Sequence, residues 1–235
     1  MTIYQLIRPL LFKLDPESAH NLTLRLIKWA GIFPPTYWLL RRLFEVNDPG
    51  LEVDAFGLKF KNRIGLAAGY DKNGAAVKGL SALGFGHIEV GTVTRSRQAG
   101  NSRPRVQRVP EARGLINSMG FPNDGAAQVV AQVGNLRYGR IGINIGKSKE
   151  TAIERAAEDY CVLLNKVHAQ ADYVAVNVSS PNTLNLRQLQ ARGAISILLK
   201  EIASVRNGLS KRVPLLVKIA PDLSEAEIDD VLGAI

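Results

Sequence analysis

Hydrophobic positions change their period partway along the chain. Up to Phe44 they recur at helical spacing: Leu6, Ile7, Leu10, Leu11 and Leu14, then Ala19, Leu22, Leu26, Ile27 and Ala30. That spacing gives helices with one apolar face. Pro9 interrupts the first run, which predicts two short pieces or a helix starting there. Asp15-Pro16 reads as an N-cap followed by proline at the first helical position, and Gly31 reads as the end of that second helix. After Pro34-Pro35, the stretch TYWLLRRLF sets Trp38, Leu39, Leu40, Leu43 and Phe44 beside an arginine pair. Asp48-Pro49-Gly50 then marks a boundary, dividing a helical cap (1–47) from a main domain (48–235).

Beyond the boundary the apolar runs become short and nearly continuous. LEVDAFGLKFKN predicts a small hairpin. RIGLAAG (63–69), HIEVGTV (87–93), RIGINIG (140–146), DYVAVNVSS (172–180) and PLLVKIA (214–220) predict strands, with helical patterns between them. Such alternation predicts parallel strands covered by helices. Polar residues gather at the strand ends: Lys72, Thr92, Asn144, Asn177, Ser180 and Lys218. A (β/α)8 TIM barrel places its active site at that end of the strands. A doubly wound sheet is the rival, but GLAAGYDKNG after the first strand is not a G-x-G-x-x-G loop. The pattern supplies about five of the eight units of a closed barrel, so a partial barrel is expected.

Composition narrows the class. With 235 residues, 46% of them hydrophobic, the chain can bury one sizeable core. Its single cysteine, Cys161, excludes an internal disulfide framework and fits a reducing compartment. No stretch reaches the length of a spanning helix. The net charge of +9 is concentrated in Arg95, Arg97, Arg103, Arg105, Arg108 and Arg113, opposed locally by Glu111 alone, and in the N-terminal helices. No zinc finger, RNP or helix-turn-helix pattern accompanies it, so nucleic acid is not the expected partner. A solvated basic face and an anionic membrane surface are the two readings of this charge, and the second suits apolar helices flanked by Arg and Trp.

The candidate chemistry centres on VNVSSPNT (176–183). Asn177 and Asn182 bracket Ser180 at a strand exit, and no His or Asp stands nearby to make a nucleophile of that serine. Primary amides both donate and accept, which suits a ring of alternating N–H and C=O groups. Lysines suit a carboxylate, a phosphate or a ring that gains negative charge.

LAAGYDKNG, GFGHIEVGTVT, GLINSMGFPNDG, GINIGKSK, VNVSSPNT and VKIAPDLS, in that order, resemble the dihydroorotate dehydrogenases. The serine at position 180, where another class has cysteine, and the N-terminal helices resemble the membrane-associated, quinone-reducing class 2. The resemblance implies an FMN-dependent oxidation of dihydroorotate to orotate in pyrimidine (UMP) synthesis. In that reaction Ser180 is the catalytic base for the C5 proton, the C6 hydride goes to the flavin, and Thr183, through a water, is the candidate relay, with Phe121 shielding the site. It implies flavin contacts from Ala68, Gly69, Tyr70, Asp71, Lys72, Thr92, Asn144, Asn177 and Lys218. It implies substrate contacts from Lys72, Asn117, Ser118, Met119, Gly120, Phe121, Asn177 and Asn182. His20 and Arg108 are the candidates for the quinone.

No metal is implied. A peripheral position on the cytoplasmic side of the cell's inner membrane is. Gln107 stands where the family commonly has an aromatic, and TRSRQAGN lacks the prolines often found there. Because family members continue further, the expectation is a C-terminally shortened chain with open edges on its first and fifth barrel strands. A non-catalytic remnant, or another flavin barrel acting on a pyrimidine-like ring, are the alternatives.

Overall fold

The structure is a computed structural model that describes residues 3–134 and 138–235. Three helices open the chain: α1 (Ile3–Lys13), α2 (Pro16–Ile32) and α3 (Pro34–Phe44). α1 runs through Pro9 rather than breaking there. Proline removes one backbone donor, but the apolar pattern continues on both sides of it and the helix persists. Asp15 caps α2 as expected, its carboxylate accepting the Ser18 backbone N–H at 2.9 Å.

Gly31 does not end α2, which continues to Ile32. Its role is close approach. A Cβ on Gly31 would lie 2.5 Å from the Gly79 nitrogen, and one on Gly79 would lie 2.0 Å from the Ile27 carbonyl oxygen. Two glycines therefore let α2 cross α4 (Val77–Ser81) backbone to backbone.

The predicted hairpin forms from β1 (Val53–Ala55) and β2 (Leu58–Phe60), paired antiparallel. The predicted strands become β3 (Gly65–Leu66), β4 (His87–Val93), β7 (Arg140–Ile145), β8 (Tyr173–Asn177) and β9 (Leu215–Lys218). The arginine-rich insertion after β4 contains a second hairpin, β5 (Val106–Val109) with β6 (Gly114–Asn117). Helices α5 (Ala126–Val133), α6 (Ala156–Val167), α7 (Arg192–Asn207) and α8 (Glu225–Leu232) complete the units.

The five long-range strands form one parallel sheet in the order β3-β4-β7-β8-β9. The order follows the chain without reversal. A doubly wound sheet reverses at a switch point and puts helices on both faces; an unreversed order keeps every crossover helix on one face, as in a barrel wall. β3 and β9 are each paired on one side only.

Alternation along the strands gives the wall two faces. Ile88, Val90, Ile141, Ile143, Ile145, Val174 and Val176 point outward into the main core with the helices. Tyr173 and Ala175 point inward, with Phe60 of the hairpin and Leu216 beside them. By the same alternation Glu89, Asn144, Asn177 and Lys218 face the barrel interior.

A candidate active site at the strand ends

A cavity of about 800 Å³ opens above the C-terminal ends of the sheet strands, roofed on one side by α1 and α2. Its floor and polar wall include Ala68, Gly69, Tyr70, Lys72, Thr92, Asn177 and Lys218, its rim Asn117, Met119, Gly120, Phe121, Ser180 and Asn182. Its outer half is apolar: Tyr4, Leu11, Phe12, Pro16, Ala19, Val106 and Leu115, with His20 and Arg108 set among them. Nearly every residue singled out from sequence thus meets at one place, although those residues come from five strand ends and the cap.

Asn144 lies beneath this floor, fully buried. Its Nδ2 donates to Glu89 Oε1 at 2.8 Å, and its Oδ1 accepts from Thr92 Oγ1 at 2.6 Å. Asn177 Nδ2 donates to Thr92 Oγ1 at 3.0 Å and to Asn144 Oδ1 at 3.2 Å. Asn177 Oδ1 in turn accepts from the Ser179 N–H at 3.0 Å and from Ser179 Oγ at 2.9 Å. The amides thus pair mainly with one another and with hydroxyls, so each buried polar group is satisfied.

Two loops build the rim. Asn182 Nδ2 donates to the Asn117 carbonyl at 3.3 Å, and Asn101 Nδ2 bridges the carbonyls of Ser118 and Asn182 at 2.9 and 3.4 Å. Gln98 Nε2 holds the Gly120 carbonyl at 2.8 Å. The sequence pattern does not point to Asn101 or Gln98; they lie in the arginine-rich insertion and act on backbone, which leaves no local signal. Gly120 and Phe121 both adopt positive φ, 64° and 52°, and a Cβ on Gly120 would lie 2.7 Å from Asn101. Ser180 is half-buried, and its Oγ accepts the Asn182 N–H at 3.2 Å.

Lys72 Nζ donates to the Gly69 carbonyl at 2.6 Å. Burial lowers its pKa, and the nearby Arg105 pushes the same way against Glu17 and Asp71. His20 packs edge-on against Tyr70, centroids 5.0 Å apart, and Tyr70 donates its hydroxyl to Thr23 of α2 at 3.0 Å. Burial first, then Lys72, hold the His20 pKa below its ordinary value, so its imidazole is neutral near pH 7.

Other predicted residues sit differently. The Asp71 carboxylate is fully buried and accepts the N–H groups of Ala75 and Ala76 at 2.9 and 2.7 Å; it shapes the loop from below and does not line the cavity. Thr183 is buried and Ser118 exposed, and neither lines the cavity. Arg108 does line it, but its guanidinium holds the Leu14 and Leu11 carbonyls at 2.8 and 3.2 Å and stacks on Phe12 at 4.6 Å.

The arginine run is not a solvated face throughout. Arg105 is buried and grips both carboxylate oxygens of Glu17 at 2.7 and 3.1 Å, with Arg103 adding a contact at 2.9 Å. This clamp joins α2 to the insertion behind Lys72. Glu17 carries no signal in the sequence because its partners lie more than eighty residues away. Among the described residues no cluster of His, Cys, Asp and Glu could hold a metal ion, and no helix is long and apolar enough to cross a membrane.

The family model "Dihydroorotate dehydrogenase" matches residues 50–234. A dihydroorotate dehydrogenase (quinone) of Aromatoleum aromaticum is 49% identical over 238 residues, covering 99% of this chain and 66% of that protein. One of Burkholderia thailandensis is 48% identical over 239 residues, covering 100% and 68%. The crystal structure of a dihydroorotate dehydrogenase from Eimeria tenella in complex with ferulenol superposes with a TM-score of 0.82 at 33% identity, covering 94% of this chain and 63% of that one. This chain thus spans about two thirds of the length of the relatives it matches. With a family match over most of its length, a barrel wall of the same topology and the rim residues gathered at its strand ends, the chain belongs to the dihydroorotate dehydrogenase family.

Proposed function

We propose that this chain carries the catalytic rim of a quinone-dependent dihydroorotate dehydrogenase, an FMN-dependent oxidoreductase of pyrimidine synthesis. The observation that supports this most is the convergence of Lys72, Asn117, Asn177, Ser180, Asn182 and Lys218 on one cavity whose opposite half is apolar. A polar, amide-lined pocket suits the pyrimidine and its carboxylate; an apolar passage suits a quinone.

The residues present fit a flavin. Gly69 has open space where a Cβ would stand, so a ring can approach the backbone there. Thr92, Asn177 and Lys218 face the same space. A bound FMN would supply the hydride acceptor, and Lys218 would give it a positive neighbour as negative charge accumulates.

The chain's own part is to hold the substrate and move one proton. Asn117, Asn177 and Asn182 offer amide donors and acceptors to the pyrimidine edges, and Lys72 faces its carboxylate. Ser180 Oγ takes the proton that leaves C5 and releases its own. The Asn182 N–H already directed at that oxygen stabilises the negative charge the exchange requires. No triad is needed, because Ser180 accepts a proton and attacks nothing. The burial of Thr183 puts any relay through it behind the rim loop.

The cap, residues 1–47, forms the quinone side, with His20 and Arg108 as its polar contacts. Trp29, Trp38, Leu39, Leu43 and Phe44 are more than half exposed, with Arg25, Lys28 and Arg42 also exposed near them. This surface suits peripheral attachment to an anionic membrane, on the cytoplasmic side of the inner membrane.

The test is Ser180→Ala in a preparation that oxidises dihydroorotate. Turnover should fall by about 10²–10⁴ while flavin stays bound. Unchanged turnover would remove Ser180 from the role.

A further inference from the structure

Glu89 belongs to none of the roles above, yet it sits under the whole site. It faces inward from β4 between the outward Ile88 and Val90. Its strand neighbour across the sheet is Gly142, which leaves room above it: a Cβ there would lie 2.1 Å from the Tyr173 ring. Tyr173 therefore lies across Gly142 and donates its hydroxyl to Glu89 Oε2 at 3.1 Å, while Oε1 takes Asn144 Nδ2 at 2.8 Å.

We propose that Glu89 is a positioning residue that fixes the hydrogen-bond polarity of the floor formed by Asn144, Thr92 and Asn177, and so decides which groups that floor presents to a planar heterocycle bound above it. The proposal rests on the reading of the cavity as a flavin and pyrimidine site.

The argument is one of direction. A primary amide or a hydroxyl works either way round, because each carries donors and acceptors. A ladder of such groups has two orientations of similar energy unless something at its ends permits only one. Here both ends are one-way. At the bottom the Glu89 carboxylate can only accept, so Asn144 must turn Nδ2 down to it and Oδ1 up. That Oδ1 takes the Thr92 hydroxyl proton and one Asn177 Nδ2 hydrogen. Asn177 Nδ2 also donates to Thr92 Oγ1, which lies beside Asn144 Oδ1 on the same side of the amide. At the top the Ser179 backbone N–H can only donate, and it meets Asn177 Oδ1. The two ends agree, so the ladder has a single sense from Glu89 to Ser179. Ser179 adjoins Ser180, so the same ladder pins the start of the catalytic loop. Removing the lower end leaves Asn144 Nδ2 without an acceptor and leaves the ladder held from the Ser179 end alone.

The test compares Glu89→Leu with Glu89→Gln in the whole chain. Glutamine keeps an acceptor oxygen and removes only the charge; leucine removes the acceptor. The first readout needs no flavin: solvent exchange of the Asn144 and Asn177 side-chain amide protons by NMR. In Glu89→Leu both should exchange about tenfold faster or more, as for a buried donor left unpaired, with backbone protection of β7 and β8 unchanged. In Glu89→Gln they should stay within about threefold of wild type.

The second readout is affinity for added FMN by fluorescence quenching, weakened about tenfold by leucine and little by glutamine. Equal effects of both variants on both readouts would overturn the proposal in favour of a charge effect. Faster exchange throughout β7 and β8 would reduce Glu89 to a general structural residue. Unchanged side-chain exchange in Glu89→Leu would refute the ladder. Failure of the wild-type chain to bind FMN would count against the functional reading, while the exchange experiment would still decide this one.

Discussion

The cap and the barrel wall are similarly rich in apolar residues but use them in opposite ways. In the wall, β7 and β8 are buried along nearly their whole length, and their outward residues merge with α5, α6 and α7 into one core. In the cap, α3 buries no residue at all, and α2 buries only Glu17, Ala19 and Gly31. None of those three is a large apolar side chain. The cap is held by a buried carboxylate in an arginine clamp and by a glycine-to-glycine crossing, not by a core of its own. Leu24 and Ile27 pack against the main core, but most of the cap's other large apolar side chains are exposed and free to face something else. Hydrophobic periodicity identifies a helix with an apolar face, but the contacts on the other face decide whether that face is buried.

Breaking the clamp should separate the two regions most. Glu17→Gln leaves the buried Arg105 without its counter-charge, held only by the Ala99 and Asn101 carbonyls, which should cost about 3–5 kcal/mol of cap attachment. Hydrogen exchange would show α1 and α2 losing protection while β7 and β8 keep theirs. Filling the crossing comes next. Gly79→Ala places a Cβ on the Ile27 carbonyl and should cost about 1–3 kcal/mol, again read in cap protection.

Acid should act on the cap in the same way, through Glu17. Its pKa is lowered chiefly by the hydrogen bonds from Arg105, against the penalty of burial. A carboxylate held below its ordinary value stabilises fully above that value, about 4.5, and the gain is lost as pH falls through the lowered folded value. Cap attachment should therefore weaken on acidification below about pH 4.5, and Glu17→Gln should abolish that dependence. The smallest effect on stability belongs to Trp38→Ser on the exposed face of α3. Unfolding free energy from thermal melting should change by no more than about 0.5 kcal/mol, while binding to anionic phospholipid vesicles falls several-fold. Unaltered vesicle binding would argue that this face meets something other than lipid.

Much of the wall is legible in the amino-acid pattern alone. Five apolar runs separated by helical patterns are the direct imprint of parallel strands, with β7 and β8 buried on both faces. Their polar last residues mark the rim, because only the strand ends reach it. Less legible are features whose cause is a distant partner. Gly31 looks like a helix stop in sequence, and only the approach of Gly79 gives it another task. Arg105 looks like one more solvated cation until Glu17 is brought to it. Asp71 shares a loop with Gly69, Tyr70 and Lys72, which line the cavity, but its carboxylate turns down to cap two backbone N–H groups. Glu89 looks like an unremarkable charge in an apolar strand. Its importance follows from facing inward, where Asn144 reaches it, and from an empty Gly142 that lets Tyr173 reach it too.

The central claim is that the rim holding Ser180 and Lys72 brings dihydroorotate against a flavin. The most direct measurement is anaerobic addition of dihydroorotate to the flavin-loaded protein, followed by the visible flavin absorption. The account predicts rapid bleaching in wild type and bleaching slowed by about 10²–10⁴ in Ser180→Ala. A flavin-loaded wild-type protein whose absorption is unmoved by dihydroorotate would contradict it.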